Sequence, residues 1–461
     1  MIEKDIVNYK WDLSHKKCLE ELITALNNSK IRYFILRNYE FLPEKNFSKD
    51  VDVIIEPGSF GVVKKIFKSI LVNNEISNFY VRKYERAHCC YGIDISKDFA
   101  IHIDFIEGYC HKGYEIFDFE LLYNHTHVYK NFRVLNDDFD ILMLFVYKIA
   151  GAKILKMTYR DKIASVFNEN EQMIKSLFEG LLGDLGLLLC DSIRNNNFDL
   201  LEKKGGIVIS KLKKQVFLKK PIRTIYYILL FYIEKFWQII CIPFWHNKFI
   251  AVEAPDGTGK TTFIDNFIVK IAYYFVADID KSKIYHFRPT ILPNLGAVGE
   301  KVGAMKQDVD FTNPHRAKPV GRFSSFVRMC YYWVDYIVGM PIILRKNAQF
   351  DKITIFDRYI YDFLVDPRRS RINLPYWVRK VFAKLVKSPS LVFVLKTDAD
   401  TIYNRKQELE KDEIKRQLKE FDKLSDLNNN VYFLDASKTP DEIADEAIKI
   451  FIDKFTEKLN K

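Results

Sequence analysis

A chain of 461 residues is longer than one hydrophobic core ordinarily supports, so two domains are expected. With 48% hydrophobic and 28% charged residues the composition excludes a disordered chain, and seven cysteines without a C-x-x-C pair exclude a disulfide framework or zinc knuckle. The net charge of +11 favours polyanionic partners, but zinc-finger spacing and an aromatic RNA-recognition signature are both missing, so phosphorylated small molecules are expected rather than nucleic acid.

In chain order, Met1-Ile-Glu-Lys-Asp5 lacks the cationic start and apolar run of a signal peptide, which together with the cysteine usage leads to an expected cytoplasmic location. Leu19, Leu22, Ile23 and Leu26 have helical spacing within residues 16–29, and Arg32-Tyr-Phe-Ile-Leu-Arg37 follows as a strand. Alternation along Asp50-Val-Asp-Val-Ile-Ile55 sets Asp50 and Asp52 on one face, and Ala100-Ile-His-Ile-Asp-Phe105 supplies Asp104 with the same period. Three carboxylates could therefore meet and hold Mg²⁺. The alternative is the solvated polar face of an ordinary sheet.

These residues resemble the superfamily of nucleotidyltransferase-like domains over about residues 15–165, including the helix around Leu142 to Lys148. The resemblance implies an α+β domain in which Asp50, Asp52 and Asp104 hold two metal ions, active or not. The family's Gly-Ser or Gly-Gly turn is replaced by Leu36-Arg-Asn38, and Lys148 reads as a snorkelling surface lysine.

Residues 165–205 have a helical apolar pattern. Lys211, Lys213, Lys214, Lys219, Lys220 and Arg223 then precede the apolar runs 224–233 and 236–245, which Glu234 and Lys235 interrupt. That interruption argues against a membrane-spanning helix. The simpler expectation is a linker helix packing on both domains; the alternative is a peripheral contact with an anionic bilayer.

Phe249-Ile-Ala-Val-Glu-Ala-Pro-Asp-Gly-Thr-Gly-Lys-Thr-Thr262 joins a buried strand, a glycine turn and a helix start. It reads as a phosphate-binding loop, Asp256, Gly257, Thr258, Gly259, Lys260, Thr261 and Thr262, although the strict pattern has glycine where this chain has Ala254. Gly259 admits close approach of backbone to phosphate, Lys260 neutralises its oxygens, and Thr261 is placed to ligate Mg²⁺. Four further apolar runs, 283–287, 352–356, 391–395 and 431–434, alternate with helices and predict a parallel sheet covered on both faces, with ligands beyond its C-terminal strand ends.

Over about residues 248–455 these motifs are similar to the thymidylate kinase family of P-loop nucleoside monophosphate kinases. His286-Phe-Arg-Pro289 looks like its Arg-Glu-Pro turn, Phe356-Asp-Arg-Tyr359 its Asp-Arg-Tyr signature, and Asp400-Thr-Ile-Tyr-Asn-Arg-Lys406 the helix before its lid. The resemblance implies ATP and Mg²⁺ as cofactors. It gives Asp357 a place on the metal, Arg358 the acceptor's phosphate, and Asp256 an acceptor hydroxyl. Since Gly257 replaces the loop arginine of some members, Arg405, Lys406 and Arg416 become candidates to stabilise the transferring group. Departures cluster at the acceptor side: Arg368, Arg369 and Arg371, the stretch Asn313–Pro319, and an aromatic helix over residues 326–335.

The expectation is thus an α/β protein with a nucleotidyltransferase-like domain and helical extension (1–205), a basic and aromatic linker helix (206–247), and a P-loop domain (248–461). The expected activity is phosphoryl transfer from ATP to a phosphorylated acceptor, by default dTMP. Alternatives are a kinase of a sugar phosphate or membrane-linked glycan precursor, a nucleotidyltransferase with a regulatory P-loop domain, and a nucleotide-binding regulator. A homodimer stands open.

Overall fold

The computed structural model describes residues 10–151, 155, 157–240, 248–275, 282–293, 321–349 and 352–459; the stretch 313–319 and the linker's end, 241–247, lie outside them. They form two compact units, one of Asn8–Lys235 with Thr456–Lys461, the other spanning Phe236–Phe455.

The first unit is built on an eight-stranded mixed sheet. Its strands are β1 (Tyr33–Ile35), β2 (Val51–Ile55), β3 (Asn78–Tyr84), β4 (Ala87–Asp94), β5 (Phe99–Glu107), β8 (Thr126–Tyr129), β9 (Phe132–Leu135) and the late β15 (Glu457–Lys458). They lie in the order β15-β3-β4-β5-β2-β1-β9-β8, and β6 (Tyr109–His111) with β7 (Tyr114–Phe117) forms a separate hairpin. Strand alternation divides the core. Tyr33, Ile35, Val51, Val53 and Ile103 face helices α1 (Leu13–Asn28) and α2 (Phe60–Asn73), whereas Phe34, Leu36 and Ile54 join the helical cluster on the other side. α1 starts where Asp12 accepts the Ser14 N–H at 2.9 Å.

After α3 (Phe119–Asn124), that second cluster is made of α4 (Asp137–Gly151), α5 (Met157–Glu169), α6 (Glu171–Leu182), α7 (Asp184–Arg194) and α8 (Phe198–Lys219). α9 (Pro221–Ile240) follows as one continuous helix. Glu234 and Lys235 are good helix formers and continue it, with Glu234 3.3 Å from Lys83. Among the described residues no helix is long and apolar enough to cross a membrane.

The second unit is a parallel five-stranded sheet in the order β11-β12-β10-β13-β14. These are β10 (Phe249–Glu253), β11 (Ser282–His286), β12 (Ile353–Asp357), β13 (Leu391–Lys396) and β14 (Val431–Asp435). The three central strands are buried nearly throughout, as their apolar runs require. The expectation of burial fails for β11 and β14, which are partly exposed because they are the sheet's edges. On one face, Phe263 and Phe267 of α10 (Lys260–Tyr274) pack edge-on against Phe393, and Phe267 reaches Phe451 of α16 (Pro440–Phe455). On the other, Tyr336 of α11 (Arg322–Gln349) meets Tyr359 in the cluster that contains Phe249 and Phe356. The short helices α12 (Asp362–Val365) and α13 (Tyr376–Lys384) lie between β12 and β13 in the chain. The chain moves outward from β10 to β11, returns through β12, then crosses β10 to β13. A crevice therefore opens beyond the C-terminal ends of β10 and β12.

Candidate active site

β10 ends against that crevice in Glu253, and the chain turns through Gly257 (φ +91°) and Gly259 (φ +87°) before α10 begins at Lys260. Both glycines occupy left-handed backbone that other residues adopt at a cost. At Gly257 space is limiting as well. A Cβ there would lie 3.0 Å from Lys406 Cβ and 3.2 Å from Ile402 O, so the helix α14 (Ala399–Arg405) and the residue after it abut the loop. Thr258 donates its hydroxyl to Pro255 O at 2.9 Å, closing the turn from within. Thr261 and Thr262 are exposed in the first turn of α10.

The register that pairs Val252 with Asp357 brings the end of β12 level with the loop, and Lys260 Nζ forms an ion pair with Asp357 Oδ1. Burial, then the charge of Arg358, pulls the Lys260 ammonium below its ordinary range despite that carboxylate. His286 Nδ1, on β11, lies 3.0 Å from Asp357 Oδ2.

Arg358 turns into left-handed backbone (φ +67°) as its N–H donates to Val252 O at 2.9 Å. Its guanidinium is buried, bonding Asp362 at 2.9 Å and Asp256 at 2.5 Å. Arg369 takes the other oxygen of Asp256. Burial alone would raise the Asp256 carboxyl; Arg358 and then Arg369 outweigh it and hold the group below its ordinary range. Both oxygens of the residue expected to meet an acceptor hydroxyl are thus occupied by arginines.

Beneath this cluster lies Glu253, fully buried, accepting the Tyr359 N–H at 2.8 Å. Its second oxygen and Oδ2 of Asp362 are both buried without a hydrogen-bond partner. Burial, then the neighbouring Asp362, pushes Glu253 up to about 8. Arg288, from the His-Phe-Arg-Pro turn, is likewise buried and donates to Asp335 at 3.0 Å.

Other expected residues are spread more widely. Arg405 donates to Ala436 O at 3.3 Å, past the end of β14. Arg416, on α15 (Lys411–Asp422), commits its donors to Glu413 and to Val365 O at 2.8 Å. Arg368 is 68% exposed and stands 4.0 Å from Glu413. Lys406 is the cation whose Cβ approaches the glycine turn. Sequence reasoning missed Glu253; the signal available was a lone acid continuing the apolar run of β10.

In the first unit, β2 and β5 run parallel with Asp52 opposite Asp104, and carboxylate oxygens of Asp50, Asp52 and Asp104 lie within 4.8 Å of one another. Ser48 donates to Asp50 at 3.0 Å. Arg37, missed in the sequence, pairs with Asp52 at 2.7 Å while its guanidinium stacks 4.6 Å from the Tyr147 ring centre. Burial, reinforced by Asp50 and Asp104 against Arg37, raises Asp52 to about 6. His102 lies 2.7 Å from Asp104. Burial works against the charge of Asp104, but His102 holds it below its ordinary range. The Lys148 ammonium lies 5.2 Å and 4.8 Å from the rings of Tyr147 and Tyr159.

No family model matches the chain, and no curated protein does. Among solved structures it is similar to thymidylate kinase from Ehrlichia chaffeensis at 16% identity, over 44% of this chain and 97% of that one, with a TM-score of 0.29. A likeness of that size assigns no function.

Proposed function

We propose that the Phe236–Phe455 unit is an ATP- and Mg²⁺-dependent phosphotransferase of the nucleoside monophosphate kinase type, with dTMP as the default acceptor. The observation that carries this reading is the Gly257–Gly259 turn opening α10, with Lys260 drawn to Asp357 on the neighbouring strand end. Its donors fit the two cofactors. The turn exposes backbone N–H groups and the positive end of α10 to a polyphosphate, with Lys260 as compensating charge. Thr261 and Asp357 offer the hard oxygen ligands that Mg²⁺ takes. Bound Mg²⁺ would supply charge neutralisation on the phosphate oxygens.

The chain's own part is placement. Lys260 holds the phosphates, and Arg358 with Arg369 forms a pre-built anion grip in which Asp256 stands where an acceptor phosphate would bind. An entering phosphate competes with the Asp256 carboxylate for these donors. Asp256 is then released toward an acceptor hydroxyl, the role expected of it from the sequence. Lys406 is the lid cation we assign to the transferring group, because its Cβ abuts Gly257 of the turn, whereas Arg405 donates to Ala436 O and Arg416 to Glu413 and Val365 O.

The meeting of Asp50, Asp52 and Asp104 supports a second reading, a nucleotidyltransferase-type centre in the first unit. One experiment separates the two. The full chain is incubated with ATP, Mg²⁺ and a panel of nucleoside and sugar monophosphates, and ADP is followed separately from pyrophosphate. ADP with any acceptor supports the kinase; pyrophosphate without ADP overturns it in favour of the transferase.

A further inference from the structure

The helix α9 turns an apolar face outward as well as one inward. Thr224 and Phe231 face the protein and are buried, and the backbone at Ile228 lies so close to the β6–β7 turn that a Cβ on Gly113 would come within 2.6 Å of its Cα. The opposite side carries Ile222, Tyr226, Leu229, Tyr232, Ile233 and Trp237, each between 56% and 84% exposed. At about 100° per residue these six fall within roughly 140° of the circumference, and no charged residue interrupts them. The face runs from Ile222 to Trp237, about 24 Å along the axis. An apolar surface of that length is not solvated without cause.

We propose that α9 is a membrane-surface helix that lies in the headgroup region of an anionic bilayer. Charge and composition identify this occupant. Lys214 and Lys219 are exposed near the end of α8 and Lys235 is exposed outside that arc of α9, while Arg223, in the first turn of α9, is paired with Glu115 at 3.0 Å. Glu234, the helix's acid, is turned away and paired with Lys83. Basic residues beside an apolar face with Tyr and Trp at its margins match a lipid interface, where amphipathic rings sit at headgroup level. A second copy of the helix would favour a narrower stripe edged by complementary charges. No described helix can span the bilayer, so the contact is peripheral. The inference is independent of the kinase reading, because it needs neither nucleotide nor activity.

The test is co-sedimentation of the full chain with vesicles of phosphatidylcholine, with and without phosphatidylglycerol. Partition into the anionic vesicles should be at least about tenfold stronger, weaken with salt, and vanish in Leu229→Glu/Ile233→Glu. These side chains are exposed, so the variant keeps its fold; should it not, a blue shift of emission with anionic vesicles that is lost in Trp237→Phe decides the same question. Equal partition into neutral vesicles overturns the anionic assignment. Binding undiminished in the double variant, or a dimer that ignores vesicles and dissociates on Leu229→Glu, overturns the membrane assignment.

Discussion

Replacing Arg369 by methionine removes one arm of the anion grip while preserving most of its bulk. Arg369 is 23% exposed along its side chain and shares Asp256 with Arg358, so its loss leaves that carboxylate still paired. A charge-assisted contact to an acceptor phosphate is worth roughly 1.5–3 kcal/mol. From this the existing Asp256 pair must be subtracted, about 0.5–1 kcal/mol at a partly exposed site. A net loss of about 1–2 kcal/mol corresponds to a fall of about 5- to 30-fold in kcat/KM for the acceptor. The KM for ATP should stay within about twofold, since Lys260 and the glycine turn are untouched. Arg358→Met is the less informative change, because it strands the buried Asp362 and would cost about 3–5 kcal/mol of stability by itself. The assay is coupled ADP release at varied acceptor and saturating ATP, then the reverse. If Arg369→Met leaves the acceptor's kcat/KM within twofold, the arginine segment is a surface loop held by Asp256 and Asp366, and its departure from the kinase pattern says nothing about substrate.

Three further outcomes are expected. Lys260→Ala should abolish ADP formation while leaving the cooperative unfolding transition in place; unchanged ADP release from a soluble variant would remove the basis for the kinase reading. Asp50→Asn with Asp52→Asn should eliminate any pyrophosphate release yet spare ADP formation, and loss of ADP in a protein that still unfolds cooperatively would join the two units into one catalytic device. Glu253, raised to about 8, binds its proton more tightly folded than unfolded, so its contribution to stability is present at low pH and lost as pH rises through about 8. The Tm should therefore decline across that range, and Glu253→Gln should flatten the decline; parallel Tm profiles for the two proteins would show Glu253 ionised throughout.

What is legible in the sequence is contiguous. Phe249 to Phe263 carries strand, turn and helix start within a single local pattern, and the parallel sheet follows from apolar runs such as Leu391–Leu395. Pairings across the chain leave no such trace. Arg369 and Asp256 are 113 positions apart, and nothing in either neighbourhood announces the other. The same holds for Arg37 and Asp52, which meet because β1 and β2 pair antiparallel. On α9 the sequence shows Glu234-Lys235 interrupting the apolar run, but that Glu234 meets Lys83 of β3 is visible only in space.

β15 has a bearing on how the protein is made. Glu457 and Lys458 pair with Phe79 and Asn78, Leu459 N–H donates to Ser77 O at 2.8 Å, and Lys68 meets Glu457 at 2.5 Å, so a segment emerging after the whole second unit completes the border of the first unit's sheet. During synthesis β3 must wait, its outer backbone groups unpaired, while hundreds of residues are added. The second unit is in effect an insert between two parts of the first. Removing Thr456–Leu459 would leave the second unit's own sequence whole yet give the first unit a permanently open edge, and the consequence would be self-association by strand pairing rather than loss of the glycine turn.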